Sequence, residues 1–254
     1  MGAADSSAKR APLVFDVETI ADLTAQDHDA VAALAKDRDL APEHYGALCP
    51  PLARVVCIAW LDSAGSLGAF FDASLCSDAP QQSIVVEDGS SEKPRTVECT
   101  AQGCESEAEV LQQFGTLVER HFEHVNAQLV TYNGRGFDLP VLVHRAIKHG
   151  VTAGRELLTK AAWENRYRPL MHLDLMDVVT FGGAAPRWPM AAYAIGYGFK
   201  SPKTDMSGAQ VGPAVRAGRL VDVVRYCAGD VLATAHVYQR LDPGSTQSAH
   251  PQRT

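Results

Sequence analysis

The stretch Leu13-Val14-Phe15-Asp16-Val17-Glu18-Thr19 decides how the rest of the chain is read. Its apolar opening predicts a strand, and alternate side chains of a strand share a face. Asp16 and Glu18 therefore project together from the strand's C-terminal end. Two carboxylates side by side repel, and one is driven toward protonation unless a cation lies between them. Oxygen donors of this kind suit Mg2+ or Mn2+. Taken alone, the same residues also describe a strand that ends in solvent, with Asp and Thr opening a turn. Exposed acids are common enough to favour that plainer reading.

Working outward, 54–61 is a nearly continuous apolar run and predicts a second strand. A third, over 67–71, follows Ser63-Ala64-Gly65 as a hairpin. Between the first two, 25–36 has helical spacing with Val31 and Leu34 on its inner face. The segment 73–104 is rich in Ser, Gln, Glu and Cys, with one short strand candidate at 83–86, and reads as a loop or hairpin insertion. Ser106 followed by Glu109 is a capping-box pattern and starts a helix that runs to about His124. A strand over 128–132, a helix over 138–149, a short strand over 172–175 with a helical segment behind it, and a closing helix over 220–241 complete the pattern. Strands as a meander and then alternating with helices predict a mixed sheet flanked by helices. Residues 1–11 and 242–254 are small, polar and broken by Pro or Gly, so both read as tails around one domain over 12–241.

Two further acidic groups carry chemistry. In Thr131-Tyr132-Asn133-Gly134-Arg135-Gly136-Phe137-Asp138, a strand runs into a glycine-rich turn and Asp138 opens a helix. Asp138 at that position is an ordinary helix cap, and Pro140 suits the first turn. Alternatively, Gly134 and Gly136 allow the backbone to approach a ligand, with Asn133 and Asp138 facing one cavity. In the last helix Tyr226 and Asp230 stand four residues apart and share a face. Gly229 beside them costs ~1 kcal/mol relative to Ala in a helix interior and points to close approach there.

The chain has 254 residues, a formal charge of −7 and 46 % apolar residues, which excludes wholesale disorder and suits one sizeable core. Its longest uncharged run, 188–199, is too short to span a bilayer, and no signal-peptide core precedes Pro12. A cytoplasmic protein with no membrane contact is expected. Six cysteines show no CxxC spacing; Cys57 and Cys227 read as small buried hydrophobes, and Cys99 and Cys104 as reduced thiols. An acidic chain argues weakly against binding phosphate backbones, unless the surplus carboxylates hold divalent cations.

Taken together and in order, the three acidic groups resemble the DEDD 3′→5′ exonuclease superfamily in its tyrosine-containing branch. Phe15-Asp16-Val17-Glu18-Thr19 matches the first motif, Asn133 to Asp138 the second, and Tyr226 with Asp230 the third. The form of the second motif is most similar to stand-alone bacterial exonucleases related to the proofreading domain of family-B DNA polymerases. The segments His172-Leu173-Asp174-Leu175-Met176-Asp177 and Lys203 to Val211 fit the same group. The insertion over 73–104 is a departure from it, as is Trp188-Pro189-Met190-Ala191-Ala192-Tyr193, where relatives have a polar helix.

The resemblance implies a ribonuclease H-like α/β fold with a mixed five- to six-stranded sheet. It implies that Asp16, Glu18, Asp138 and Asp230 hold two Mg2+ or Mn2+ ions and that Tyr226 orients the attacking water. Single-stranded nucleic-acid 3′ ends, DNA in preference to RNA, would be the substrate, trimmed to 5′-mononucleotides. Thr19, Asn133, Arg135, Phe137 and Lys203 are the candidate substrate contacts, and Trp163 with Arg166, Tyr167 and Arg168 interleaves rings and cations as a single-strand groove does. His172 and Asp174 are expected behind the site, not on a metal. A replication or repair partner would act in trans. The competing class is a non-catalytic nucleic-acid or protein-binding module that keeps the fold, for which the intact acids and Tyr226 would have no use.

Overall fold

The computed structural model describes residues 10–23, 25–76, 81–89, 95–199 and 206–241. The predicted tails lie almost wholly outside these residues, as does Lys203, although Ala11 already belongs to the first strand.

In chain order, β1 (Ala11–Ala21) is followed by α1 (Ala25–Lys36), α2 (Pro42–Leu48), β2 (Ala53–Leu61), β3 (Leu67–Asp72), β4 (Gln81–Asp88) and β5 (Arg95–Cys104). Then come α3 (Glu107–Phe122), β6 (Ala127–Thr131), α4 (Asp138–His149), α5 (Arg155–Trp163), β7 (His172–Asp174) and α6 (Leu175–Val179). The chain closes through α7 (Met190–Gly196), α8 (Gly208–Arg216) and the long α9 (Leu220–Leu241). Among the described residues the strands form one sheet in the order β4-β5-β3-β2-β1-β6-β7, seven strands rather than the five to six the resemblance implies. The difference lies in the 73–104 segment: β4 and β5 pair antiparallel, and β5 docks parallel to β3, so the expected hairpin extends the sheet itself. β1, β2 and β3 form the antiparallel meander, whereas β6 and β7 continue the sheet parallel to β1.

Each face of the sheet has its own core. Leu13, Phe15 and Val17 of β1 pack with Phe114 and Val118 of α3 and Leu139 and Leu142 of α4 on one face. Val14 points the other way, toward Val223, Val224 and Val231 of α9 and Val211 of α8. The alternation of β1 thus divides its residues between two helical layers, as period two requires. α3 begins as predicted, the Ser106 side chain accepting the Glu109 N–H. In α1 the inner stripe runs through Val31 and Ala35, and Leu34 is 53 % exposed instead of inward. One step of about 100° around a helix separates Ala35 from Leu34, which is enough to turn it to solvent.

Two details set up the end of β1. The β1–β2 register slips between Glu18 and Thr19, a bulge of the kind that re-aims side chains beside a site. Pairing of β1 with β6 stops at Val14 opposite Val130, so the later residues of β1 project past β6 toward the start of α4.

Candidate active site

Asp16 and Glu18 share the β1 face of Val14 and so point at α9, where Tyr226 and Asp230 stand one turn apart. One carboxylate oxygen from each of Asp16, Glu18 and Asp230 lies within 4.8 Å of the other two. The Tyr226 hydroxyl donates to the Asp230 carboxylate. Asp138 comes from the opposite layer, at the first residue of α4, and accepts the Val17 N–H. It is buried, and its Oδ1 has no hydrogen-bond partner. The Asp138 charge is felt at both Asp16 and Glu18, so all four acids converge, with Asp138 outside the tight trio.

The electrostatics follow from this geometry. Burial first, and then the neighbouring carboxylates, push Asp16 and Glu18 well above the ordinary range. Burial lifts Asp138 to about 7 and Asp230 to about 6, the latter against the opposing hydrogen bond from Tyr226. Burial and the adjacent acids likewise raise the Tyr226 phenol. Among the described residues no lysine or arginine bears on any of these groups. A carboxylate cluster with Glu18 and Asp138 buried, Asp16 and Asp230 half-buried, an orphaned oxygen and no ion-paired cation among the described residues is a donor set that fits hard divalent ions.

The turn that aims Asp138 is held from behind. Asp174 accepts the N–H groups of Asn133 (2.8 Å), Arg135 (2.9 Å) and Met176 (2.9 Å). The Thr131 hydroxyl accepts the Gly134 N–H at 3.1 Å and lies 2.8 Å from His172 Nε2. Asn133 adopts φ +69°, which Asn tolerates better than most residues. A Cβ on Gly134 would sit 2.3 Å from the Thr131 hydroxyl, so only glycine fits there. His172 and Asp174 therefore act as turn supports behind the site. Gly229 lines a narrow crevice with Glu87 and Gly89 at the end of β4, and with Phe199 and His236.

The remaining predicted contacts divide. Thr19 and Phe137 line, with Glu18, a cavity of about 620 Å³ between β1, α2 and α8. The Thr19 hydroxyl itself donates to the Ala47 carbonyl at 2.7 Å and ties β1 to α2. Asn133 is half-buried at the turn. Arg135 turns its guanidinium away from the acids, donating to Asp177 at 2.9 Å and to the Glu164 carbonyl at 2.6 Å, so its fixed partners are α6 and the end of α5.

Other residues have roles that motif spacing does not reveal. The Cys227 thiol donates to the Asp16 carbonyl (3.4 Å) and carboxylate (3.6 Å), and Cys57 lies against it, so two thiols form the floor under the acids. The only signal in the sequence is that Cys227 follows Tyr226. His44 and Arg216 line the cavity from α2 and α8, helices the sequence reading misses.

A mixed sheet with helices on both faces and acids gathered at the end of its first strand is the ribonuclease H-like architecture of polymerase proofreading domains. Residues 81–248 match the family described as "Predicted 3'-5' exonuclease related to the exonuclease domain of PolB", and the chain belongs to that family. The match includes Asp138, Tyr226 and Asp230 and begins after Asp16 and Glu18. The matched range also spans the β4–β5 hairpin. The fold is similar to the family B DNA polymerase from the hyperthermophilic archaeon Pyrobaculum calidifontis, at TM-score 0.52 and 19 % identity. That likeness covers 92 % of this chain and 25 % of the polymerase, so the chain spans about a quarter of its length. Among curated proteins none matches. No helix among the described residues is long and apolar enough to cross a membrane.

Proposed function

We propose that this chain hydrolyses the 3′-terminal phosphodiester of single-stranded nucleic acid, DNA in preference to RNA, and releases 5′-mononucleotides. The observation that carries the reading is the convergence of Asp16, Glu18 and Asp230 within 4.8 Å, faced by the orphaned Oδ1 of Asp138. These four would hold two Mg2+ or Mn2+ ions. When bound, the ions would cancel the carboxylate charge and stabilise the attacking and leaving oxygens of an in-line displacement. The chain's own residues supply position. Asp230 holds the Tyr226 hydroxyl at the site, where it orients the attacking water. With its pKa raised, that phenol acts as a hydrogen-bond donor and is a poor base near neutral pH. The cavity beside Glu18 and Phe137 accommodates the terminal nucleotide, with Arg216 at its lining as a counter-charge for phosphate. Any replication or repair partner would meet the chain in trans.

The test is a 5′-labelled oligonucleotide incubated with Mn2+ or Mg2+, with chelator as control. Stepwise shortening from the 3′ end, abolished by chelator and by Asp16→Ala, is the expected result. An oligonucleotide that survives with both metals, or full activity in Asp16→Ala, overturns it.

A further inference from the structure

The aromatic residues among the large exposed hydrophobics of the described chain are Trp163 (84 % exposed), Tyr167 (73 %), Phe181 (81 %) and Trp188 (58 %). Trp163 ends α5, and the others come from the loops after α5 and after α6, which pack on each other: a Cβ on Gly182 would lie 2.6 Å from the Tyr167 ring. Both loops are fastened to the segment that carries Asp138. Arg135 and Arg166 share Asp177, at 2.9 and 3.4 Å, and the Tyr132 hydroxyl donates to the Trp188 carbonyl at 2.5 Å. Arg168 and Arg187 are exposed next to Tyr167 and Trp188 in the chain, and neither is ion-paired among the described residues.

Resting on the exonuclease reading, we propose that Trp163, Tyr167, Phe181 and Trp188, with Arg168 and Arg187, form a strip that binds the single strand trailing from the active site. Charge selects this occupant. The chain as a whole carries −7, yet two guanidiniums share one carboxylate here and two more have no ion pair among the described residues, so a polyanion is drawn to this patch. Unstacked bases offer flat faces to exposed rings, and the contact is independent of sequence, as an enzyme that walks along a strand requires. A duplex presents no such faces.

Binding is measured by anisotropy with labelled (dT)20 in chelator, so that cleavage plays no part. The wild-type chain binds (dT)20 with quenching of indole emission, and a blunt duplex of the same length competes poorly. Trp163→Ala with Trp188→Ala weakens binding by roughly tenfold or more, and Trp163→Phe with Trp188→Phe, which keeps the rings, restores it. Arg168→Ser with Arg187→Ser flattens the dependence of log affinity on log salt by about 1.4, near 0.7 for each lost phosphate contact. All these side chains are exposed, and an unchanged melting temperature checks the fold. Unaltered affinity in the alanine pair, or no binding by the wild type, overturns the proposal; the first result would return these rings to a protein-facing surface. If the strip binds (dT)20 as described while Mn2+ produces no trimming, the strip stands and the exonuclease reading falls.

Discussion

Two buried acidic regions of this molecule meet opposite fates. Around Arg145, fully buried in α4, Glu107 accepts from Arg145 Nε at 2.7 Å and from the Val55 N–H at 2.8 Å, and lies 2.7 Å from His149. Asp22, at the end of β1, takes Arg145 at 2.7 Å together with Lys148. Burial would raise Asp22, but the hydrogen bonds from Lys148 and Arg145 outweigh it and hold its pKa below the ordinary value. At the end of the same strand Asp16, Glu18, Asp138 and Asp230 have no ion-paired cationic side chain among the described residues, and every one of them is raised. The first region is complete within the chain and works as a clamp between β1, β2, α3 and α4. The second lacks such partners among the described residues, an electrostatic cost that ions from outside would relieve under the proposed function.

The contrast can be broken at the clamp first. Arg145→Met strands Glu107 as an uncompensated buried charge, and denaturant unfolding should report a loss of about 3–5 kcal/mol. At the acids the sign reverses. Asp138→Asn removes an unpaired charge, so the metal-free variant should melt no lower than the wild type while metal-dependent trimming falls at least about 100-fold. An Asp138→Asn chain that unfolds as easily as Arg145→Met would erase the distinction.

The pH dependence sharpens the same comparison. Asp138 near 7 and Asp230 near 6 keep their protons in the folded chain where an unfolded chain, near 3.8, has lost them. Their contribution is thus fully present below about pH 4 and is lost as pH rises through 6 and 7. Without metal, the melting temperature should fall over that window, and Mn2+ should raise it more at pH 8 than at pH 5. Asp22 has the opposite sign and should lose its contribution only as pH falls below the usual carboxylate range. The smallest effect is expected behind the site. Asp174→Ala leaves the Asn133 and Arg135 N–H groups without their acceptor and should cost about 1–3 kcal/mol by the same unfolding measurement.

Much of this frame is legible in the sequence because its elements have unbroken periodicity. α4 over 138–149 and α9 over 220–241 have the expected bounds, and β1 alternates cleanly between two cores. β5 is missed although Val97, Cys99 and Ala101 alternate with Glu98, Thr100 and Gln102: one face is solvated, so the segment reads as polar. α8 is hidden by Pro213 within it and glycines around it. At the site, spacing along a strand predicts that Asp16 and Glu18 share a face, and spacing along a helix does the same for Tyr226 and Asp230. It cannot predict that Arg135 turns to Asp177, because that partner is 42 residues away and meets it only when β7 pairs with β6 and brings α6 alongside. The Cys57–Cys227 floor is tertiary for the same reason.

Calorimetric titration of the metal-free chain with Mn2+ tests the central claim most directly. Saturable binding near two ions per chain is predicted, with at least one ion lost in Asp16→Ala and no change in Glu107→Gln. No measurable binding, or binding that Asp16→Ala leaves intact, would contradict the account.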